Sequence, residues 1–180
     1  MARWNFDETH SGTDFLVRHM MVSKVRGHFT GIEGWLEFDE DHPENAQIVA
    51  RINVDTINTR NDDRDNHLRS ADFFDAENHP QMVFKSTSVK VNGENEGQVT
   101  GDLTIRGVTK PVTFDVEYFG QLDSPFGDRR TGFSGSAKIN REDFGLTWNQ
   151  ALETGGWLVG KEVTINVELE AILATAAETA

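Results

Sequence analysis

The chain contains no cysteine among its 180 residues. This absence excludes thiol catalysis, Cys-X-X-Cys redox chemistry and cysteine-ligated zinc. A domain of this length buries roughly 70% of its unfolded surface, so it needs no disulfide to be stable. No run of residues approaches the ~20 apolar positions of a membrane-spanning helix. We therefore expect no transmembrane segment.

Basic residues are also scarce, since 17 Lys and Arg stand against 30 Asp and Glu, for a net charge of -13. Such a surface repels phosphate backbones, and no basic patch offsets it, so we expect no nucleic-acid partner. The first residues, MARWNFDETHSG, lack a basic stretch followed by an apolar one. This start favours a cytoplasmic location, with the periplasm as the alternative if a leader has been removed.

Apolar and polar residues alternate with period two along most of the chain. The last such stretch places Val163, Ile165 and Val167 on one face, and similar stretches recur about eight times or more from Phe15 onward. One apolar face per strand predicts an all-β protein, either a closed barrel or a sandwich. We expect a single domain over residues 1–173 and a disordered C-terminal tail over 174–180.

The segment from Arg60 to Pro80 interrupts this alternation. Its charges follow a helical spacing, and it ends in the paired aromatic residues Phe73 and Phe74. We interpret it as a lid whose aromatic residues cap an apolar tunnel. Its charged residues are then expected on a solvated outer face, namely Asp62, Asp63, Arg64, Asp65 and Arg69.

Small residues are frequent in the inward phase of the predicted strands. A barrel of about eight strands is just wide enough to fill itself with side chains or to hold one small ligand. Small inward residues favour a cavity, although glycines at barrel corners that relieve strain are an equal alternative for any single position. The residues concerned are Gly27, Gly34, Ala50, Gly101, Gly135, Ala137 and Ala171.

The six histidines do not predict a metal site, because no HxxH, HExxH or HxH spacing brings ligands together. His19 lies in the inward phase near a strand end, where it would either meet a ligand at the barrel mouth or serve as a hydrogen-bonded structural residue. No serine-nucleophile signature is present, and neighbouring acids in turns are usually solvated. The residues therefore predict no catalytic site.

Arg141 also falls in the inward phase, two residues after Ile139. A buried guanidinium needs a carboxylate, backbone carbonyls or an anionic ligand as partner. The sequence leaves these partners open.

The chain resembles the YceI-like family of polyisoprenoid-binding or lipid-binding domains. The resemblance lies, in order along the chain, in DETHSGTDFLVRHMMVSKVRGHF, VDTINTRNDDRDNHLRSADFFDAENHPQMVFKS, GDLTIRGVTKPV, INREDFG and VGKEVTINVELEA. It implies a lipocalin-like antiparallel eight-stranded β-barrel with a short helical insertion. It also implies a cavity that accepts an isoprenoid chain, as in a polyprenyl diphosphate or a quinone.

We therefore expect a non-enzymatic carrier, storage or sequestering protein whose partner is an amphipathic isoprenoid lipid. No cofactor is expected apart from such a bound lipid or quinone, and a homodimer is compatible with this role. The alternatives are a hydrolase or isomerase that uses His19 as general base and a stress-related protein-interaction module. The expected ligand-binding residues are Phe15, Val17, His19, Phe29, Phe73, Phe74, Phe84, Phe133, Arg141 and Trp148.

Overall fold

The structure is a computed structural model that describes residues 1–178. Ten strands and one α-helix carry the described fold. The strands are β1 (Ala2–Phe6), β2 (Gly12–His19), β3 (Ser23–Phe29), β4 (Glu33–Phe38), β5 (Gln47–Asn53), β6 (Gln81–Val91), β7 (Glu96–Ile105), β8 (Val108–Asp123), β9 (Arg129–Asn140) and β10 (Val159–Leu173). Helix α1 (Asp62–Arg69) lies between β5 and β6, and short 3₁₀ turns cover Pro43–Asn45, Val54–Thr56 and Arg141–Phe144.

The sheet closes on itself through β1, which pairs with both β4 and β10. The closed ring runs β1-β4-β5-β6-β7-β8-β9-β10 and all its pairings are antiparallel, which confirms the predicted eight-stranded barrel. β1 lies before the first strand that the alternation indicated. Its five residues include Trp4, which is almost fully buried.

One edge of β10 pairs with two different strands along its length, whereas its other edge pairs with β9. Its last residues, Ala171–Leu173, pair with β1, whereas Val159–Glu168 pair with β2. β2 in turn pairs with β3, whose other edge meets residues 56–58 through a single isolated bridge. There, His28 and Asn58 exchange backbone hydrogen bonds of 3.0 and 2.9 Å, and the Thr30 amide donates to Thr56 Oγ1 at 3.2 Å.

Antiparallel pairing sorts the connections to two ends of the barrel. The lid end carries α1, the β2–β3 turn, the β7–β8 turn and residues 145–158, which lead from β9 to β10. The far end carries the β4–β5, β6–β7 and β8–β9 connections. The Ala174 amide donates to the Arg3 carbonyl at 2.9 Å, and residues 176–178 form a turn. Residues 179 and 180 lie outside the described residues, so disorder over 174–180 stays a prediction.

Two buried clusters hold the ends of the barrel. The lid-end cluster consists of Phe73, Leu103, Ile105, Val112, Ala137, Phe144 and Leu146. The far-end cluster consists of Trp4, Leu36, Phe38 and Ala171. Full burial of one such large apolar side chain stabilises the fold by about 1.5–3 kcal/mol. The space between the clusters is not filled, and it forms the cavity described next.

Candidate ligand-binding cavity

A cavity of about 480 Å³ runs through the barrel between the two clusters. Its wall is predominantly apolar, because the inward phase of nearly every strand is aliphatic or aromatic. All ten residues that the sequence analysis named for ligand binding lie in this wall, namely Phe15, Val17, His19, Phe29, Phe73, Phe74, Phe84, Phe133, Arg141 and Trp148. Their contact with a ligand stays a prediction.

The lid is anchored to the barrel on both sides. Helix α1 begins after Asn61, whose side chain accepts from the Arg64 amide at 2.9 Å and so caps the helix. At its C-terminal end, Arg69 donates to the carbonyls of Asp55 and Ile57. Beyond the helix, Arg106 in the β7–β8 turn donates to the Phe73 carbonyl at 2.9 Å. These bonds fix the two aromatic residues of the lid over the cavity.

An aromatic array joins the lid to the barrel. The ring centroids of Phe74 and Phe29 are 5.9 Å apart in an edge-to-face arrangement. Phe73 and His67 contact Trp148, with centroids 5.4 and 4.6 Å from its ring. Each such pair contributes about 0.5–1.5 kcal/mol beyond simple burial. The array packs the lid against the barrel at the lid end of the cavity.

Three charged residues of the lid do not lie on its outer face, contrary to the expectation from sequence. Asp65 is buried and accepts from the Thr59 amide and hydroxyl at 2.9 and 2.5 Å. Arg64 is half-buried, donates to the Thr59 hydroxyl and carbonyl, and lines the cavity. Arg69 is tied to carbonyls as described above. Helical spacing alone does not reveal that the preceding loop supplies polar partners to this face.

Polar groups line both ends of the cavity. One group lies at the far end, namely Glu40, Lys90, Glu94, Asn95, Glu96 and Gln98, and the other lies near the lid. His19 is half-buried at the end of β2, beside Arg18, and both line the cavity with Arg64. Within residues 1–178, no carboxylate forms an ion pair with Arg18, His19 or Arg64. The lid end of the cavity therefore carries two arginines that lack an acidic partner in the described part of the chain.

Arg141 is occupied by the protein itself. Its guanidinium donates to the carbonyls of Leu146 at 2.6 Å, Gly160 at 2.7 Å and Trp148 at 3.0 Å, with a longer bond to Val159 at 3.3 Å. Burial lowers the pKa of Arg141 from its ordinary value. Of the partners left open by the sequence, backbone carbonyls are the ones found. The residue holds the 145–158 connection against β10.

Most of the small inward residues do not create the cavity. A Cβ on Gly27 would lie 2.3 Å from the Phe15 ring, and a Cβ on Gly101 would lie 2.4 Å from the Phe84 ring. Aromatic rings thus cover these glycines, and Gly34 lies against the backbone of Val49. Ala137 and Ala171 are packed in the two core clusters. Of the seven residues, only Gly135 and Ala50 line the cavity.

The far end of the cavity has an aromatic floor. Phe38, Tyr118 and Phe133 form a triangle of rings with centroids 5.0–5.4 Å apart. The Tyr118 hydroxyl donates to Glu40, and burial together with this bond raises the pKa of Tyr118 to about 12. The hydroxyl therefore stays protonated at neutral pH.

Asp7, His10 and Glu170 bring their ligand atoms within 4.8 Å of one another, as a metal site would. Arg130 occupies this position, with Nη1 2.7 Å from Asp7 Oδ2 and a short contact to Glu170. The guanidinium neutralises the acids that would otherwise attract a cation. Hydrogen bonds from Thr9, His10 and Arg130 hold the pKa of Asp7 well below its usual range. An ion-pair network accounts for the cluster.

Arg18 and Arg64 are two polar residues near the lid that line the cavity but were not predicted from the sequence. Arg18 lies in the polar phase of β2, and strand alternation therefore assigned it to the outer face. Its position next to the strand end lets the long side chain reach the mouth. For Arg64, the helical spacing of the lid has no periodicity in common with the strands. Neither arginine carried a signal readable from spacing.

The fold and the cavity define a class of protein, the antiparallel β-barrel with a predominantly apolar cavity beneath a helical lid. The chain belongs to the YceI-like domain family, whose model matches residues 4–171. A UPF0312 protein of Staphylococcus epidermidis is 44% identical over 171 residues, covering 94% of this chain and 97% of that protein.

Solved structures show the same architecture. BcnA of Burkholderia cenocepacia superposes with a TM-score of 0.81 at 25% identity, covering 94% of this chain and 99% of that one. A domain of Saccharophagus degradans, described as a polyisoprenoid binding domain implicated in plant cell wall breakdown, has a TM-score of 0.71. It is 14% identical, over 97% of this chain and 100% of that one, and so supports the fold alone. Within residues 1–178, no helix has the length and apolar character needed to cross a bilayer.

Proposed function

We propose that the barrel binds one amphipathic isoprenoid lipid, with its hydrocarbon chain in the cavity and its head group near Arg18, His19 and Arg64. The observation that carries the proposal is the cavity wall, which is predominantly apolar along the barrel and carries, at the lid end, two arginines without an acidic partner among residues 1–178. A hydrocarbon chain gains from burial along its whole length. A polar head gains only where donors meet it.

The cavity volume bounds the length of chain that fits. At about 30 Å³ per water-sized group, about 480 Å³ holds about 16 non-hydrogen atoms. This corresponds to about three isoprene units of five carbons. A longer chain would extend out of the cavity or require the lid or the aromatic floor to move. Burial of about 15 carbons would contribute about 12 kcal/mol before the cost of ordering the chain.

The two arginines favour an anionic or strongly hydrogen-bond-accepting head group. A guanidinium binds phosphate oxygens with charge-assisted hydrogen bonds, and it also donates to a neutral carbonyl. A diphosphate would use both Arg18 and Arg64, whereas a quinone would take one or two donors. The proposal includes both head groups and expects the diphosphate to bind more tightly.

A binding role without chemistry is the form of the proposal that the residues support best. A general base needs an orienting partner, and no hydrogen bond to the His19 ring is found within residues 1–178. The polyisoprenoid binding described for the Saccharophagus degradans domain adds support by likeness of fold. We propose that the protein carries or sequesters its lipid.

Native mass spectrometry of the purified protein, followed by extraction and identification of any apolar molecule, tests this function. Titration with farnesyl diphosphate, farnesol and a short-chain quinone then ranks the head groups. We expect saturable one-to-one binding by all three, with the diphosphate the tightest. A protein that yields no apolar molecule and takes up none of the three would contradict the proposal.

A further inference from the structure

The β2–β3 turn exposes three consecutive apolar side chains at the lid end. Met20, Met21 and Val22 are 45%, 67% and 78% exposed. The neighbouring 145–158 connection adds Trp157, which is 53% exposed, and Met21 Sδ lies against Gly156, where an added Cβ would be 2.2 Å away. We call these four residues the apolar tip. A contiguous exposed apolar patch of this kind marks a surface that binds something.

The backbone of the turn does not require these side chains. Met20 and Met21 have φ values of 51° and 62°, and the Val22 amide donates to the His19 carbonyl at 3.2 Å. Two central residues with positive φ are typical of a type I′ turn, which strongly prefers asparagine and glycine. Methionine at both positions destabilises the fold, because a non-glycine residue with positive φ is strained. This destabilisation indicates that the exposed side chains serve a function other than stabilising the turn.

The tip is continuous with the mouth of the cavity. Arg18 and His19, which line the cavity, directly precede Met20. The Met20 amide donates to the carbonyl of Leu158, which also lines the cavity. A surface that covers the tip would therefore lie next to the proposed position of the head group.

The segment that carries Met20, Met21 and Val22 is locally basic, opposite in sign to the net charge of the protein. Residues 15–32 contain three of the 17 Lys and Arg and none of the 30 acids. Arg18 and Lys24 have no ion-pair partner within residues 1–178, whereas Arg26 lies 3.6 Å from Asp14. The neighbouring 145–158 connection contributes one acid, Glu153. Apolar side chains flanked by cations match an anionic lipid surface, at which each free cation adds about fivefold in affinity.

We propose that the apolar tip docks the barrel on an anionic lipid bilayer, with Met20, Met21, Val22 and Trp157 in the interface. Tryptophan is enriched at the membrane–water interface, where its amphipathic ring lies at the level of the lipid head groups. Docking would present the cavity mouth to the membrane, where an amphipathic lipid with a long chain resides. The purpose of docking rests on the proposed lipid-binding function. Its physical basis, exposed apolar side chains flanked by cations, does not.

The test is co-sedimentation with phosphatidylcholine vesicles, with or without phosphatidylglycerol as a third of the lipid. The variant Met20→Asn/Met21→Asn removes apolar surface while placing asparagine where positive φ is tolerated. We expect the unmodified protein to bind the anionic vesicles, and the double variant to bind about 30-fold more weakly. Added salt should weaken binding, since the cations are exposed.

The matched control is Phe126→Asn. Phe126 is 82% exposed in the β8–β9 turn at the far end, where Asp123 and Asp128 flank it. Its substitution should leave vesicle binding unchanged. If the double variant does not fold, Trp157→Ser replaces it, with the same expected direction of effect.

Titration with farnesol in the absence of vesicles separates the two proposals. Normal farnesol binding by the double variant with loss of vesicle binding supports docking. No vesicle binding by the unmodified protein, or equal losses for the double variant and Phe126→Asn, overturns it whatever the farnesol result. A tip-dependent dimer in sedimentation that excludes vesicles also overturns it, because a second copy would then cover the tip. Vesicle binding without farnesol binding contradicts only the proposed function.

Discussion

Gly135 offers a direct way to block the cavity. It lies on β9 with its α-carbon facing the cavity, and it has no left-handed backbone conformation. A Cβ at this position would lie 3.6 Å from Phe114 and 3.8 Å from Val116, which are ordinary van der Waals distances. A larger side chain at 135 therefore extends into free space. We expect Gly135→Phe to fold and to bind lipid poorly.

The size of the effect follows from volume. The phenylalanine side chain adds about seven non-hydrogen atoms, or about 210 Å³ at about 30 Å³ each, which is nearly half of the cavity. Displacing about seven chain carbons costs up to about 6 kcal/mol of binding free energy. Because the bound chain can shift, we expect at least about 2 kcal/mol, a loss of about 30-fold or more.

The assay is titration with farnesol, together with thermal unfolding of each variant. Gly135→Ala is the control, since one added carbon should weaken binding by less than about fourfold. Gly135→Phe should unfold at the same temperature as the unmodified protein or higher, because the ring fills empty space. A folded Gly135→Phe that binds farnesol normally would refute the assignment of the cavity. If it does not fold, Ala50→Leu tests the same cavity from the opposite wall.

Three further predictions concern single polar residues. Arg64→Gln should lower the affinity for farnesyl diphosphate by about tenfold but change the affinity for farnesol by less than twofold. Equal losses of affinity for the two ligands in calorimetry would contradict a head-group role. Arg141→Lys should lower the free energy of unfolding by about 2–4 kcal/mol in urea, because an ammonium cannot satisfy four carbonyls; unchanged stability would show that the bonds are dispensable. Asp7→Asn should lose stability at pH 7 and match the parent in acid. The depressed pKa of Asp7 adds stability above about 3.8 that disappears as pH falls through the folded value; a pH-independent difference would disprove this linkage.

The all-β fold and the lid could be predicted from residue patterns, because alternation and aromatic pairing are local signals. Alternation left a barrel or a sandwich open, and the resemblance to the YceI-like family implied the eight-stranded barrel. β1 was not predicted, since five residues are too few to establish a period. The cavity was expected for a reason that was largely wrong. Phe15 pairs directly opposite Gly27 across the β2–β3 hairpin, and its ring covers the glycine. Which aromatic ring lies over which glycine depends on strand register, and the composition of the inward phase does not contain that information.

The cavity residues likewise divide into those that local sequence signals predicted and those that depend on the tertiary structure. Residues of the strand interior, such as Val17 and Phe84, could be assigned to the wall from phase alone. The sequence placed Arg141 in the interior but did not identify its hydrogen-bond partners. Two of the four carbonyls, those of Leu146 and Trp148, belong to a connection without regular structure. For Arg64, the sequence predicted neither a position in the interior nor its hydrogen-bond partners. Its contact with the cavity depends on the direction in which the lid crosses the barrel.

The single bridge between β3 and residues 56–58 gives the barrel wall a weak seam. Parting β9 from β10 would break a ladder that runs from Glu162 to Ile172, whereas parting His28 from Asn58 and Thr30 from Thr56 breaks three hydrogen bonds. Phe29, beside this seam, is also the barrel partner of Phe74 in the lid. A sideways opening here would expose the cavity along its flank while the other ladders stay paired. A long flexible molecule could then be laid into the barrel from the side instead of being threaded through its end.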